Sequence, residues 1–236
     1  MQTVLSIVER SNQRGGRMLS VIDLLNAGTL TAEQTAWLLD RIINGSSWLV
    51  GAKPGGAGKT AVMSALLAML PADTKIRLTS QNTFTPEGWR RGSTGECVVA
   101  YEIGAGFYEA YVWGEELRDF CRLGSAGCRI VTNLHADTLE EAHTQVVTEN
   151  GVLEQWFNKF DMFLPISVSN FRGNPKRIIE SIHYFDKNRW VVCGRNPEVS
   201  GRQIQFLDFL RKCTVRGIVN VADVRKAWLA FLQVPA

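Results

Sequence analysis

The residues able to do chemistry are concentrated in one stretch, GAKPGGAGKT, from Gly51 to Thr60. Glycines there let consecutive backbone N–H groups turn toward one point, and a helix starting at the end of the stretch adds its positive pole. That combination binds phosphate. The candidate contacts are Gly55, Gly56, Ala57, Gly58, Lys59, Thr60 and Ala61. Lys59 would bring charge to the β- and γ-phosphates, and the Thr60 hydroxyl suits a magnesium ion. The strict P-loop spacing asks for glycine five residues before Gly58, where Lys53 stands instead, with Gly51, Gly55 and Gly56 nearby.

Two more residues fit such a site. Glu102 follows the apolar run Cys97 to Tyr101. An acid at the carboxyl edge of a parallel sheet lies where open α/β sheets collect ligands. It could orient or deprotonate an attacking water, or hold magnesium through a water. His135 follows a second apolar run, Arg129 to Leu134, just before the helix start Thr138-Leu139-Glu140-Glu141. An imidazole on that edge could contact the γ-phosphate and report its hydrolysis.

The elements that must position these groups are legible as patterns. Ser47 to Val50 reads as a short buried strand and Ala61 to Leu70 as the helix behind the glycine loop. Ser20 with Asp23, and Thr31 with Gln34, have capping-box spacing for two helices ahead of the loop, the second carrying Leu38, Leu39, Ile42 and Ile43. Lys75 to Ser80 reads as a strand, Gln81 to Glu96 as a surface loop, and Tyr111 to Leu123 as a helix. Phe160 to Val168 reads as a strand followed by a turn over Asn170 to Pro175, and Arg177 to Phe185 with Arg189 to Cys193 as a hairpin around Asp186-Lys187-Asn188. Ile204, Leu207 and Leu210 mark one C-terminal helix; Val224, Ala227, Trp228, Phe231 and Leu232 mark another. The expected organisation is a loosely ordered lead-in over 1–17, one α/β domain over 18–200, and a helical extension over 201–236.

Bulk properties limit the alternatives. The 236 residues are 45% hydrophobic and 21% charged, ordinary values for a globular chain with a sizeable core. No apolar run approaches the ~20 residues needed to cross a bilayer, and the N-terminus lacks the shape of a secretory signal. A cytoplasmic protein is expected. Five scattered cysteines without a CxxC pair suggest buried thiols in place of disulfides or a zinc site. The net charge of +3 is uneven: residues 151–236 carry thirteen Lys or Arg against seven Asp or Glu. Such a bias suits a nucleic-acid or membrane surface, or simply a solvated face. The seven tryptophans are scattered and read as packing residues, not as a stacking platform.

In their order these motifs resemble the secretion and pilus traffic ATPase superfamily of type II and type IV systems, most nearly its tight-adherence pilus branch. The helix pair running into the loop (SVIDLLNAGTLTAEQTAWLLDRIINGSSWLVGAKPGGAGKT), AYEIG around Glu102, LGSAGCRIVTNLHADTLEEA around His135, and FDMFLPISVSNFRGNPKRIIESIHYFD carry the likeness. The resemblance implies a RecA-like P-loop fold with a mostly parallel sheet, binding of ATP and Mg2+, and Glu102, Lys59 and His135 as catalytic residues. It implies Thr60 and Glu102 at the metal. It also implies a homo-oligomeric ring, hexameric in the full motor, and a secretion or pilus platform at the inner membrane as partner. The resemblance implies a sizeable N-terminal domain, where only about twenty residues precede the helix pair here, and the chain departs from the family at three further places. Ser80-Gln81-Asn82 stands where an acidic box is expected, Arg90 and Arg91 are the candidates for arginine fingers, and Lys53 replaces a loop glycine. An ATP-hydrolysing protein of this type is the leading expectation. A non-catalytic nucleotide switch or assembly module, favoured by the lost acidic box, and a nucleic-acid processing factor, resting on the basic C-terminal part, are the alternatives.

Overall fold

A computed structural model describes residues 2–12, 15–80, 95–106, 108–171 and 174–233. Arg90 and Arg91, Gln81 and Asn82, and most of the loop expected over 81–96 lie outside the described residues.

The chain begins with helices α1 (Val4–Arg10), α2 (Val21–Asn26) and α3 (Ala32–Ile43), then strand β1 (Trp48–Gly51), helix α4 (Lys59–Leu67) and strands β2 (Ile76–Leu78) and β3 (Cys97–Val99). Strands β4 (Glu102–Ile103) and β5 (Tyr111–Val112) follow, then α5 (Glu115–Ser125), β6 (Arg129–Leu134) and α6 (Leu139–His143), which runs on in π-helical turns through Thr144–Glu149. After α7 (Glu154–Phe157) come β7 (Met162–Pro165), β8 (Ser167–Phe171), β9 (Asn174–Ile178), β10 (Ile182–Asp186) and β11 (Arg189–Cys193). Helices α8 (Arg202–Val215) and α9 (Val221–Leu232) close the chain.

Among the described residues the main sheet runs β11-β10-β7-β1-β6-β3-β2. From β7 to β2 the neighbours are parallel, and β10 and β11 add an antiparallel edge. Strand β6 lies between the glycine-loop strand β1 and the strand that leads to Glu102. This is the RecA-like order, and the fold is α/β with a mostly parallel central sheet. Strand periodicity sorts the core into two layers. Trp48, Val50, Cys97, Val99 and Val131 face one side, with buried residues of α1 to α4, α8 and α9; Leu49, Val98 and Ile130 face the other, with those of α5, α6 and α7. Because β1 and β3 are covered on both faces they read as unbroken apolar runs, the expected signature of a buried parallel sheet.

The two capping boxes form as the spacing predicts, with Ser20 accepting from the Asp23 N–H and Thr31 from the Gln34 N–H. The 1–17 segment differs from the loosely ordered lead-in expected of it. Thr3 caps α1 with a third capping box, and Ile7 and Val8 are fully buried. The Tyr101 hydroxyl donates to the Ile7 carbonyl at 3.2 Å, and Ser11 Oγ meets Ser64 Oγ on α4 at 2.8 Å. Seven residues are too few for a helical stripe to stand out in sequence, so tertiary contact decided the matter.

Other boundaries shift for local reasons. Gly114, at φ 58°, stops an extended Tyr111–Val112 from joining α5, so the helix expected from Tyr111 begins at Glu115. The strand expected over Phe160 to Val168 breaks at Ile166; β7 stays in the main sheet while β8 pairs with β9 in a separate two-stranded ribbon. Asn170 and Pro175, expected in a turn, pair within that ribbon, and residues 172–173 lie outside the described residues. On α8 the buried face is Phe206, Phe209, Leu210 and Cys213, while Ile204, expected inside, is 57% exposed. Aromatic packing explains this choice, since Phe206 and Phe209 lie 5.2 and 5.1 Å from the Trp228 ring of α9.

Candidate functional site at the carboxyl edge of the sheet

Three neighbouring strands deliver the site. β1 ends at Gly51, β6 ends at Leu134 just before His135, and β3 passes through a bulge into β4 at Glu102. The bulge is visible in the register: the chain advances one residue more from Val99 to Ile103 than from Val131 to Leu134. Asn133 Nδ2 donates to the Tyr101 carbonyl at 3.0 Å and holds the bulged backbone. A bulge re-aims the side chain beside it; here that side chain is Glu102, which borders a cavity of about 380 Å³ together with Lys59, Thr60 and His135.

The loop's shape follows from two glycines. Gly51 cannot carry a side chain, because a Cβ would stand 2.4 Å from the Ala136 carbonyl and 2.5 Å from the Phe163 ring. Gly58, at φ 94°, turns the chain into α4 through a left-handed conformation. Lys53, by contrast, is not among the residues with positive φ, so the fold needs no glycine there. Its backbone instead ties the loop to the β6–α6 turn. The Lys53 N–H donates to Asp137 Oδ1 at 2.7 Å, and His135 Nδ1 donates to the Lys53 carbonyl at 3.0 Å. The Lys53 ammonium pairs with Glu141, whose other oxygen accepts from the Asp137 N–H at 2.9 Å. Lys53, Asp137 and Glu141 are residues that sequence reasoning passed over as site members. Only the substitution at Lys53 hinted at them.

Lys59 is buried beneath the loop. Its ammonium donates to the Ala52 carbonyl at 3.2 Å and lies 3.3 and 3.4 Å from the two ring nitrogens of His135. His135 Nε2 lies 2.5 Å from Glu102 Oε1, within hydrogen-bonding distance. Glu102 has 14% and His135 47% of its side chain exposed, which leaves the pair open to the cavity from the histidine side. Tyr111, across β4, is another cavity wall; burial, then the Glu102 charge, raises its phenol above the ordinary range. The structure thus brings Lys59, Glu102 and His135 together, with Thr60 and the Gly55 to Ala61 backbone on the same wall.

The donor set fits a phosphate-bound cation. Among the described residues no three His, Cys, Asp or Glu gather to form an all-protein metal cage. Magnesium on a nucleotide needs one or two protein oxygens and takes the rest from phosphate and water. Thr60 and Glu102, both on the wall of this cavity, are the residues that could offer oxygens of that kind.

Fold and site together define an α/β protein of RecA-like strand order with a glycine-rich loop at the carboxyl edge of its sheet. The structure is similar to that of the VirB11 ATPase from the Brucella suis type IV secretion system, solved with sulphate, with a TM-score of 0.46, 15% identity and coverage of 78% of this chain and 62% of that one. It is also similar to the Legionella pneumophila ATPase DotB, with a TM-score of 0.45, 13% identity and coverage of 76% and 55%. The chain therefore spans less than two thirds of the length of either. No family model matches the sequence, and no curated protein matches it.

Proposed function

We propose that the protein binds ATP with Mg2+ and hydrolyses it, as a secretion or pilus traffic ATPase. One observation carries the reading: Lys59, Glu102 and His135 arrive from three different elements, and the His135 ring lies within 3.4 Å of both the Lys59 ammonium and the Glu102 carboxylate beside the glycine loop. The backbone of Gly55 to Ala61 cradles the phosphates, and Lys59 neutralises the charge that moves to the leaving β-phosphate. Glu102 orients the attacking water and takes its proton, while His135 holds the Glu102 carboxylate in place and faces the γ-phosphate. Magnesium, when bound, spreads phosphate charge, and Thr60 is its protein ligand. In phosphoryl transfer, positioning and charge neutralisation supply most of the acceleration, and these residues provide both. The order of sequence motifs supports the traffic-ATPase type. A homo-oligomeric ring, a cytoplasmic face and a membrane platform as partner belong to the same reading. No helix among the described residues is long and apolar enough to cross a membrane.

Phosphate release from ATP and MgCl2, measured beside equilibrium ATP binding, tests the proposal. The unmodified protein should turn over. Glu102→Gln should bind ATP but release phosphate at least a hundredfold more slowly, and Lys59→Ala should lose binding. ATP binding without turnover in the unmodified protein would sink the enzyme reading and leave the nucleotide switch.

A further inference from the structure

Glu102 is carried by a strand of only two residues, β4, which makes few ladder pairs: Glu102 with Tyr111, and Ile103 with Val112 and Leu134. A base that must hold one water in line needs firmer support than so short a strand gives. The support comes from the residues on either side.

Tyr101 is 4% exposed and is fixed three ways. Its N–H donates to the Ala110 carbonyl at 2.8 Å, its carbonyl accepts from Asn133 Nδ2 at 3.0 Å, and its hydroxyl donates to the Ile7 carbonyl of α1 at 3.2 Å. Ala110, beyond the far end of β4, is buried at φ 56°, a left-handed conformation that a residue with a Cβ keeps only under outside constraint. Its neighbour Glu109 pairs with Arg10, also on α1. One helix therefore grips the chain before and after the acid.

The same helix reaches toward the lysine. At its C-terminal end Ser11 Oγ meets Ser64 Oγ at 2.8 Å, both side chains buried, and Ser64 lies one turn past Thr60 on α4. Ser11 and Tyr101 border the same cavity as Lys59, Glu102 and His135. Helix α1 thus spans from the strand of the acid to the helix of the lysine.

Nothing in the packing of α1 requires the tyrosine hydroxyl. The Ile7 carbonyl already accepts the Ser11 N–H at 3.0 Å, and the fully buried Ile7 and Val8 seat the helix by apolar contact. A phenylalanine at position 101 would fill the same space and leave no buried polar group without a partner. Burial, then the Glu109 charge, pushes the phenol up to about 12, so it stays a neutral donor at working pH.

Resting on the ATPase reading above, we propose that Tyr101 is a positioning residue, and that by bonding the Ile7 carbonyl it makes α1 a splint that keeps Glu102 aimed at the attacking water. The N-terminal helix then governs turnover and leaves nucleotide affinity alone.

The experiment measures kcat for phosphate release and equilibrium ATP binding, both with MgCl2, in the unmodified full chain, Tyr101→Phe, Ser64→Ala, Glu102→Gln and the Tyr101→Phe, Glu102→Gln double variant. Tyr101→Phe should keep the Kd for ATP within about twofold and the melting temperature within about 3 °C, while kcat falls about tenfold, the kind of loss that a misplaced group causes. Ser64→Ala, in which Ser11 Oγ retains its bond to the Val8 carbonyl, cuts the splint at its other end and should lower kcat several-fold with Kd unchanged. Glu102→Gln no longer has the carboxylate to aim, so adding Tyr101→Phe to it should change kcat by less than about twofold. An unchanged kcat in Tyr101→Phe, an equal loss of ATP affinity, a failure to fold, or the full tenfold loss on the Glu102→Gln background overturns the role of Tyr101. An unchanged kcat in Ser64→Ala overturns the splint between the two helices. An unmodified chain that binds ATP without turning it over removes the ATPase reading itself, and this role with it.

Discussion

His135 Nε2 sits 2.5 Å from Glu102 Oε1, although the two residues follow different strands. The other ring nitrogen donates to the Lys53 carbonyl at 3.0 Å, so one imidazole links the acid to the glycine loop. Changes at His135 should therefore be felt in turnover before they are felt in binding. We expect His135→Ala to keep ATP affinity within a few-fold while kcat falls by about 10²-fold, the lower end of an acid–base contribution. Steady-state phosphate release against ATP concentration separates the two quantities. Loss of affinity with unchanged kcat would contradict this.

Lys53 and Asp137 should differ in weight although they touch. The Lys53 ammonium is exposed and its pairing with Glu141 is a surface contact, so Lys53→Ala should leave the melting temperature within error. Asp137 accepts the Lys53 N–H at 2.7 Å and so anchors backbone. Asp137→Ala should cost about 1 kcal/mol in denaturant unfolding and weaken ATP binding through a loosened loop.

Gly51→Ala tests the close approach beneath the loop. Its Cβ would need the Ala136 carbonyl, at 2.4 Å, and the Phe163 ring, at 2.5 Å, to move. Overpacking of this kind costs about 1–3 kcal/mol. The variant should melt earlier and bind ATP poorly, because the displaced Ala136 is next to His135.

Asp23 should confer acid sensitivity. Burial pushes its carboxyl upward most strongly of any single influence, but two donors of Arg17, at 2.7 and 2.8 Å, and the Ser20 N–H, at 2.8 Å, together outweigh it and hold the carboxyl below its usual range. A depressed carboxylate stabilises the fold above its unfolded value, near 3.8, and that contribution is lost as pH falls through the folded value. Asp23→Asn should therefore lose about 1 kcal/mol at pH 7, a figure kept low by solvent at Arg17. Its melting temperature should also fall less steeply than that of the unmodified protein below about pH 4. Thermal melts from pH 2 to 7 measure this.

All five cysteines are buried, and desolvation pushes the Cys97 thiol up to about 12. A thiol reagent at pH 8 should label none of them in the folded protein and all five in denaturant.

Much of the site was legible because its parts are short and local. A glycine loop, an apolar run ending on Glu102 and another ending before His135 each need only neighbouring residues to be recognised, and burial of the parallel strands on both faces makes those runs continuous. The same locality explains the capping boxes at Ser20 and Thr31. It fails where a residue's role depends on a distant partner. Nothing near Val4 announces that α1 will pack on α4 with Ile7 and Val8 fully buried, and nothing near Arg177 announces the Gly56 carbonyl.

By itself, then, the sequence determined the chemistry on offer: a phosphate-binding turn, an acid and an imidazole, each at the end of a strand. Tertiary structure alone decided how they meet. The bulge before Ile103, held by Asn133, sets the Glu102 carboxylate against His135, and the pairing of Lys53 with Asp137 fixes the loop over both. Register and long-range hydrogen bonds are properties of strands side by side, and they cannot be read from either strand alone.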